Sequence, residues 1–128
     1  VELGGPKARV LVVDDAPFMR RQICEILKTA GHEVVAEAED GVQGVESFEA
    51  ERPDLVTVDL VMPRQGGIET LRKIRALDPE ARVIVCSSIS DEETILQAIG
   101  LGARDYVLKP IQADKLLDAV EKALKRPR

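Results

Sequence analysis

Apolar residues along the chain follow two alternating patterns. Short runs of Val, Leu and Ile occupy residues 10–13, 34–36, 55–58, 83–86 and 106–108. Runs this brief, bounded by polar groups, are the mark of strands buried on both faces. Between them the apolar spacing lengthens to three and four. Ile23, Ile26, Leu27 and Ala30 form one stripe, Val42, Val45 and Phe48 a second, and Ile68, Leu71 and Ile74 a third. Ile95, Leu96 and Ile99 form the fourth, and Leu117, Val120 and Leu124 the fifth. Each stripe is the apolar face expected of one amphipathic helix packed on a sheet.

The punctuation agrees with that reading. Pro17 suits the first turn of the first helix, where its missing N–H costs nothing. Gly31 can close the same helix in a left-handed conformation. Ser90 and Glu93 have the spacing of a capping box opening the fourth helix, and Gly100 and Gly102 mark its end. Strict alternation of strand and helix predicts an α/β fold. The five strands then form a doubly wound parallel (βα)5 sheet with helices on both sides, because right-handed crossovers require it.

In open parallel sheets, ligands sit beyond the carboxyl ends of the strands. The residues expected there are Asp14-Asp15, Asp59, Ser87-Ser88 and Lys109-Pro110. A single Asp after a strand is by default a turn former or a helix cap. Acid, acid, hydroxyl and ammonium on four strand ends are harder to explain so. Two like charges about 4 Å apart repel by roughly 4 kcal/mol at an effective dielectric near 20. A divalent cation relieves that repulsion, and an all-oxygen carboxylate site favours Mg²⁺ over Zn²⁺.

Composition narrows the picture further. The 128 residues suit one domain, and a 45% apolar and 32% charged balance is globular. Phe18, Phe48 and Tyr106 are the only aromatics, so the core must be aliphatic. A formal charge of −5 argues against a general nucleic-acid binder, which needs a basic stripe. Cys24 and Cys86 have neither metal-ligand nor disulfide spacing, and read as small buried hydrophobes in a reducing compartment. No secretory leader is visible in residues 1–7 and no apolar run is long enough to span a bilayer. The expectation is a soluble, cytoplasmic protein. The first residue is not Met, which suggests a processed, trimmed or engineered start. The expected division is a disordered or engineered N-terminus at 1–7, a domain at 8–125 and a tail at 126–128.

Val12-Val13-Asp14-Asp15, Val58-Asp59 with Met62-Pro63 and Gly66-Gly67, Ser87, Tyr106 and Lys109-Pro110 together resemble the response-regulator receiver domain of two-component signalling, the CheY-like type. The match spans residues 8–125. Asp15 and Asp59 are 44 apart, Asp59 and Ser87 28, and Ser87 and Lys109 22.

The resemblance implies a flavodoxin-like sheet of order 2-1-3-4-5. It implies that Asp59 accepts a phosphoryl group from a sensor histidine kinase or a small acyl phosphate. Asp15 would bind Mg²⁺ directly, Asp14 directly or through water, with Asp59 and the Val61 backbone carbonyl completing the protein ligands; Mn²⁺ would substitute. Lys109 would pair with Asp59 and then with the phosphoryl group, and the Lys109–Pro110 bond is typically cis. Ser87 would hydrogen-bond the phosphoryl group, and Tyr106 would turn inward, altering the face of the fourth helix, fifth strand and fifth helix. Ser88 leaves open which hydroxyl acts. Such a domain is a signalling phosphoacceptor, catalysing only its own phosphotransfer and slow dephosphorylation.

Cys86-Ser87-Ser88-Ile89 and Phe18-Met19-Arg20-Arg21 lean toward chemotaxis-type receivers, with a flagellar switch as a candidate output partner. The expected state is a monomer or a phosphorylation-dependent dimer that touches neither membrane nor nucleic acid. Val61 and Ile89 offer no hydrogen bond to an attacking water, so the phosphoryl group should hydrolyse slowly. Two alternatives remain. One is the excised receiver of a longer regulator with a DNA-binding or enzymatic output domain. The other is a haloacid-dehalogenase-type phosphatase, disfavoured because Val61 stands where its general acid would be.

Overall fold

The computed structural model describes residues 7–125 of the chain; residues 1–6 and the tail 126–128, both assigned above to the termini, lie outside the described residues. Five strands alternate with five helices: β1 Arg9–Val13, α1 Pro17–Thr29, β2 Glu33–Ala38, α2 Gly41–Glu51 and β3 Leu55–Val58. There follow α3 Gly67–Leu77, β4 Val83–Ser87, α4 Glu92–Gly100, β5 Asp105–Leu108 and α5 Ala113–Lys125. All pairings are parallel, in the order β2-β1-β3-β4-β5. The expected α/β architecture and strand order are those observed.

Alternation along each strand divides the core in two. Val10, Val12, Leu55, Ile84 and Cys86 point to one face, where Ile23 and Leu27 of α1 and Leu116 and Val120 of α5 cover them. Leu11, Val13, Val56, Val58, Val83 and Val85 point to the other, against Phe48 of α2, Leu71 and Ile74 of α3 and Ala98 of α4. Burying each of these Val, Leu, Ile and Phe side chains stabilises by about 1.5–3 kcal/mol. β1 beyond Arg9, and all of β3 and β4, are buried.

Three sequence expectations need correction. Burial on both faces does not extend to β2 and β5, where only Ala38 and Val107 are fully buried. These are the sheet edges, with a neighbour on one side only. The capping box at Ser90 and Glu93 does not form. Asp91 caps α4 instead, accepting from the Thr94 N–H at 3.0 Å and the Thr94 hydroxyl at 2.8 Å. The apolar stripe of α4 also fails to face the sheet: Leu96 is 61% and Ile99 43% exposed, and Ala98 is the helix's buried residue. The helix ends of α1 match: Pro17 opens it, and Gly31 follows it at φ +96°. Among the described residues no helix is long and apolar enough to cross a membrane.

Strand order reverses at β1, between β2 and β3. The crevice this opens at their carboxyl ends is where an α/β sheet binds its ligand.

Candidate functional site

Asp14, Asp59 and Lys109 are each the first residue past a strand, and a last ladder hydrogen bond fixes each backbone. The Asp14 N–H donates to the Ala38 carbonyl at 3.0 Å, the Asp59 N–H to Val13 at 3.1 Å and the Lys109 N–H to Ser87 at 2.9 Å. The chain then turns under local control. Asp14 Oδ1 accepts from the Ala16 N–H at 2.9 Å, and the Asp14 carbonyl accepts from Arg20 Nη1 at 2.8 Å. Arg20 is itself tied to Glu37 at 3.0 Å. Asp59 Oδ1 accepts from the Leu60 N–H at 2.7 Å. Gly67 packs so tightly beneath that a Cβ there would lie 2.2 Å from the Asp59 carbonyl oxygen.

These turns gather the acids. Asp14, Asp15 and Asp59 each offer a carboxylate oxygen, all within 4.8 Å of one another. Asp14 and Asp59 are buried, while Asp15 is exposed. Lys109 reaches into the group, its Nζ 2.7 Å from Asp14 Oδ2 and 3.2 Å from Asp59 Oδ2. The Lys109–Pro110 peptide is cis. Lys109 thus pairs with Asp59, as the resemblance implies, and also with Asp14, to which it sits nearer. Asp14 is fully buried with one oxygen already on a backbone amide, so its second needs a partner.

Electrostatics follow from this packing. Burial pushes the Asp59 carboxyl above its ordinary range; the Lys109 charge opposes this, and the Asp14 charge reinforces it. Burial alone would pull Lys109 down. Its hydrogen bond to Asp14 and the charges of Asp59 and Asp14 outweigh burial, and its pKa rises. One ammonium among three carboxylates leaves the pocket negative. A hard, all-oxygen donor set in a negative pocket fits a Mg²⁺-type cation rather than Zn²⁺. The softer groups are elsewhere. His32 accepts from the Ala8 N–H at the opposite edge of the sheet, and Cys24 and Cys86 are buried in α1 and β4.

A second cluster adjoins the first. Ser87 is fully buried, whereas Ser88 is exposed. Ser87 Oγ accepts from the Ile89 N–H at 3.1 Å. The half-buried Tyr106 hydroxyl donates to the Ile89 carbonyl at 2.6 Å. Burial raises the Tyr106 pKa, against a side-chain hydrogen bond with Ser87 that lowers it. Ser87, Ile89 and Tyr106 therefore form one linked unit. Val61, by contrast, is 62% exposed. In the sequence Arg20 stands out only as part of Phe18-Met19-Arg20-Arg21; its hold on Asp14 depends on the turn geometry, which spacing does not reveal.

The chain resembles known proteins over most of its length. The family model of the response regulator receiver domain matches residues 10–121. The chain is 48% identical to the chemotaxis protein CheY of Bacillus subtilis, over 91% of this chain and 97% of that one. It is similar to the CheX-CheY-BeF3-Mg complex from Borrelia burgdorferi, with 31% identity and a TM-score of 0.91, covering 96% of this chain and 92% of that one. It is likewise similar to the response regulator domain of Thermotoga maritima CheB, with 35% identity and a TM-score of 0.89, covering 96% and 100%.

Proposed function

The chain belongs to the response-regulator receiver family, a family of phosphoacceptor signalling domains, and from that premise we propose that Asp59 is the acceptor, served by a sensor histidine kinase. The observation that carries this is the Asp59 carboxylate itself. One of its oxygens is held by a backbone amide, the other meets an ammonium, and the carboxylate lies close enough to two further acids to share a cation with them.

An Asp59 carboxylate oxygen supplies the electron pair for a new P–O bond. The P–N bond of the donor phosphohistidine breaks, and its electrons stay with the departing imidazole. Lys109, already shared between two carboxylates, turns toward the incoming phosphoryl oxygens, a change of partner that suits a point-charge ammonium. Asp14, Asp15, Asp59 and the Val61 backbone carbonyl are the residues to hold Mg²⁺, with Mn²⁺ as a substitute. When bound, the ion supplies positive charge that offsets the acids and the transferring phosphoryl group.

Phosphorylation adds about 1.5–2 negative charges and three strong acceptors. Those acceptors compete for the Ser87 hydroxyl, and its bonds carry any displacement to Ile89 and Tyr106. Ser87 is the hydroxyl that acts in this scheme, being buried beside the pair, and Ser88 is not. The readout is the surface of α4, β5 and α5, where Leu96, Ile99 and Leu108 stand exposed. The relatives' name supports a chemotaxis-type regulator; the further reading, ours, is that its receiver at residues 8–125 acts in the cytoplasm on a protein partner such as a flagellar switch.

The test is incubation with acetyl phosphate or phosphoramidate and Mg²⁺, followed by intact mass. Wild type should gain one phosphoryl group and Asp59→Ala none. Inertness of the wild type toward several donors would overturn the assignment.

A further inference from the structure

The loop between β3 and α3 carries Val61, whose carbonyl is assigned above to the metal, yet neither Val61 nor Pro63 is buried. What holds the loop lies further along. Arg64 sits at φ +65°, an uncommon conformation for a side-chain-bearing residue, and its Nη1 lies 3.2 Å from Asp40 Oδ2. Asp40 is 7% and Arg64 57% exposed in their side chains. The other oxygen of Asp40 caps α2, accepting from the Gln43 N–H at 2.9 Å. Next door, the Gly41 N–H donates to the Gln65 carbonyl at 3.1 Å, across a gap so narrow that a Cβ on Gly41 would lie 2.3 Å from that oxygen. The near end is pinned as well, the Gly67 N–H donating to the Leu60 carbonyl at 2.9 Å. Between these anchors Met62 packs partly buried against the core and the Pro63 carbonyl accepts from the Gln65 N–H at 2.6 Å; Val61 itself has no such hold among the described residues, and the outer anchor belongs to the β2–α2 junction.

We propose that the Asp40–Arg64 ion pair is a positioning device for the metal ligand of this loop: it fixes the orientation of the Val61 carbonyl without touching the metal. The inference rests on the reading of the acidic pocket as a metal site. Groups that orient a metal ligand commonly govern affinity by about 10–100-fold, and a half-exposed pair should fall at or below the low end.

Charge gives the test its discriminating power. If Arg64 and Asp40 acted on the metal only through space, removing the cation would tighten metal binding and removing the anion would weaken it. If they act by holding the loop, both losses weaken it. Mn²⁺ binding, followed by electron paramagnetic resonance on the unphosphorylated protein, separates the two. Asp40→Asn keeps the α2 cap and deletes only the charge, and Arg64→Lys keeps the cation. Arg64→Ala and Asp40→Asn should each weaken Mn²⁺ binding about threefold to tenfold. The double variant should be no weaker than either single, and Arg64→Lys should recover most of the loss. An Arg64→Ala protein that binds Mn²⁺ as tightly as wild type, or more tightly, overturns the proposal, as does simple additivity in the double variant. Asp15→Asn is the separate control. If it still binds Mn²⁺ like wild type, the metal reading itself is at fault rather than the role of the pair.

Discussion

Val61 and Ile89 bring no polar atom of their side chains to a water approaching a phosphorylated Asp59, and Val61 is largely exposed. Val61→Asn adds a donor and an acceptor there. It should shorten the aspartyl-phosphate half-life by up to about tenfold, the worth of one well-placed hydrogen bond. Loss of the phosphoryl mass over time reads this directly, and an unchanged or longer half-life would count against it. At the other end of the sheet His32 is buried, and burial, followed by the charge of Lys7, lowers its pKa. Its Nδ1 accepts from the Ala8 N–H, so protonation sets one donor against another. The sign follows: a depressed folded-state pKa gives stability that is complete above the unfolded value, about 6.5, and lost as pH falls toward the folded one. The stability advantage of wild type over His32→Asn in urea should therefore shrink between about pH 7 and pH 5. A constant difference would refute this. The strand-end acids were legible one by one, because each follows an apolar run. The preference of Lys109 for Asp14 was not, since it depends on how deeply each carboxylate is buried.

At the scale of elements, two glycines make opposite predictions. Gly67 opens α3 against the backbone of Asp59 and Leu60, where a Cβ would meet a carbonyl oxygen at 2.2 Å and Leu60 Cα at 2.7 Å. Backbone cannot swing aside as a side chain can, so Gly67→Ala should destabilise by about 2 kcal/mol or more. Gly100 closes α4 with nothing within 4 Å of where a Cβ would be. Gly100→Ala should stabilise by about 0.5–1 kcal/mol. Urea midpoints at constant slope measure both, and a Gly67→Ala protein as stable as wild type would mean the junction is looser than its geometry implies. The same two helices mark the limit of sequence reading. The α3 stripe of Ile68, Leu71 and Ile74 faces the core as its period demands. The α4 stripe has the same kind of period but faces outward. Periodicity identifies an apolar face without naming its partner, and here the sheet is met chiefly by Ala98. Edge strands misled for a related reason: an apolar run of three residues in β2 does not reveal that only one neighbouring strand exists.

For the molecule as a whole, the carboxyl edge of the sheet is a deliberate departure from a well-satisfied fold. Three acids gather around a single ammonium that pairs with two of them, in a chain already carrying a formal charge of −5. The aliphatic core on both sheet faces supplies the stability that holds this edge together, at some cost in repulsion. Two consequences should appear in one set of unfolding curves. Without divalent ions, Asp15→Asn should be slightly more stable than wild type, by about 1 kcal/mol or less, because an exposed charge is removed from the cluster. With Mg²⁺ at about a hundred times its dissociation constant, wild type should gain about 2.7 kcal/mol and Asp15→Asn almost nothing, since only the native state gathers the ligands. The two curves must therefore cross as Mg²⁺ is added: the variant leads in a chelator and the wild type leads in excess metal. Parallel curves at every Mg²⁺ concentration would mean that the acids do not share a cation, and that the repulsion at this edge is relieved by Lys109 alone.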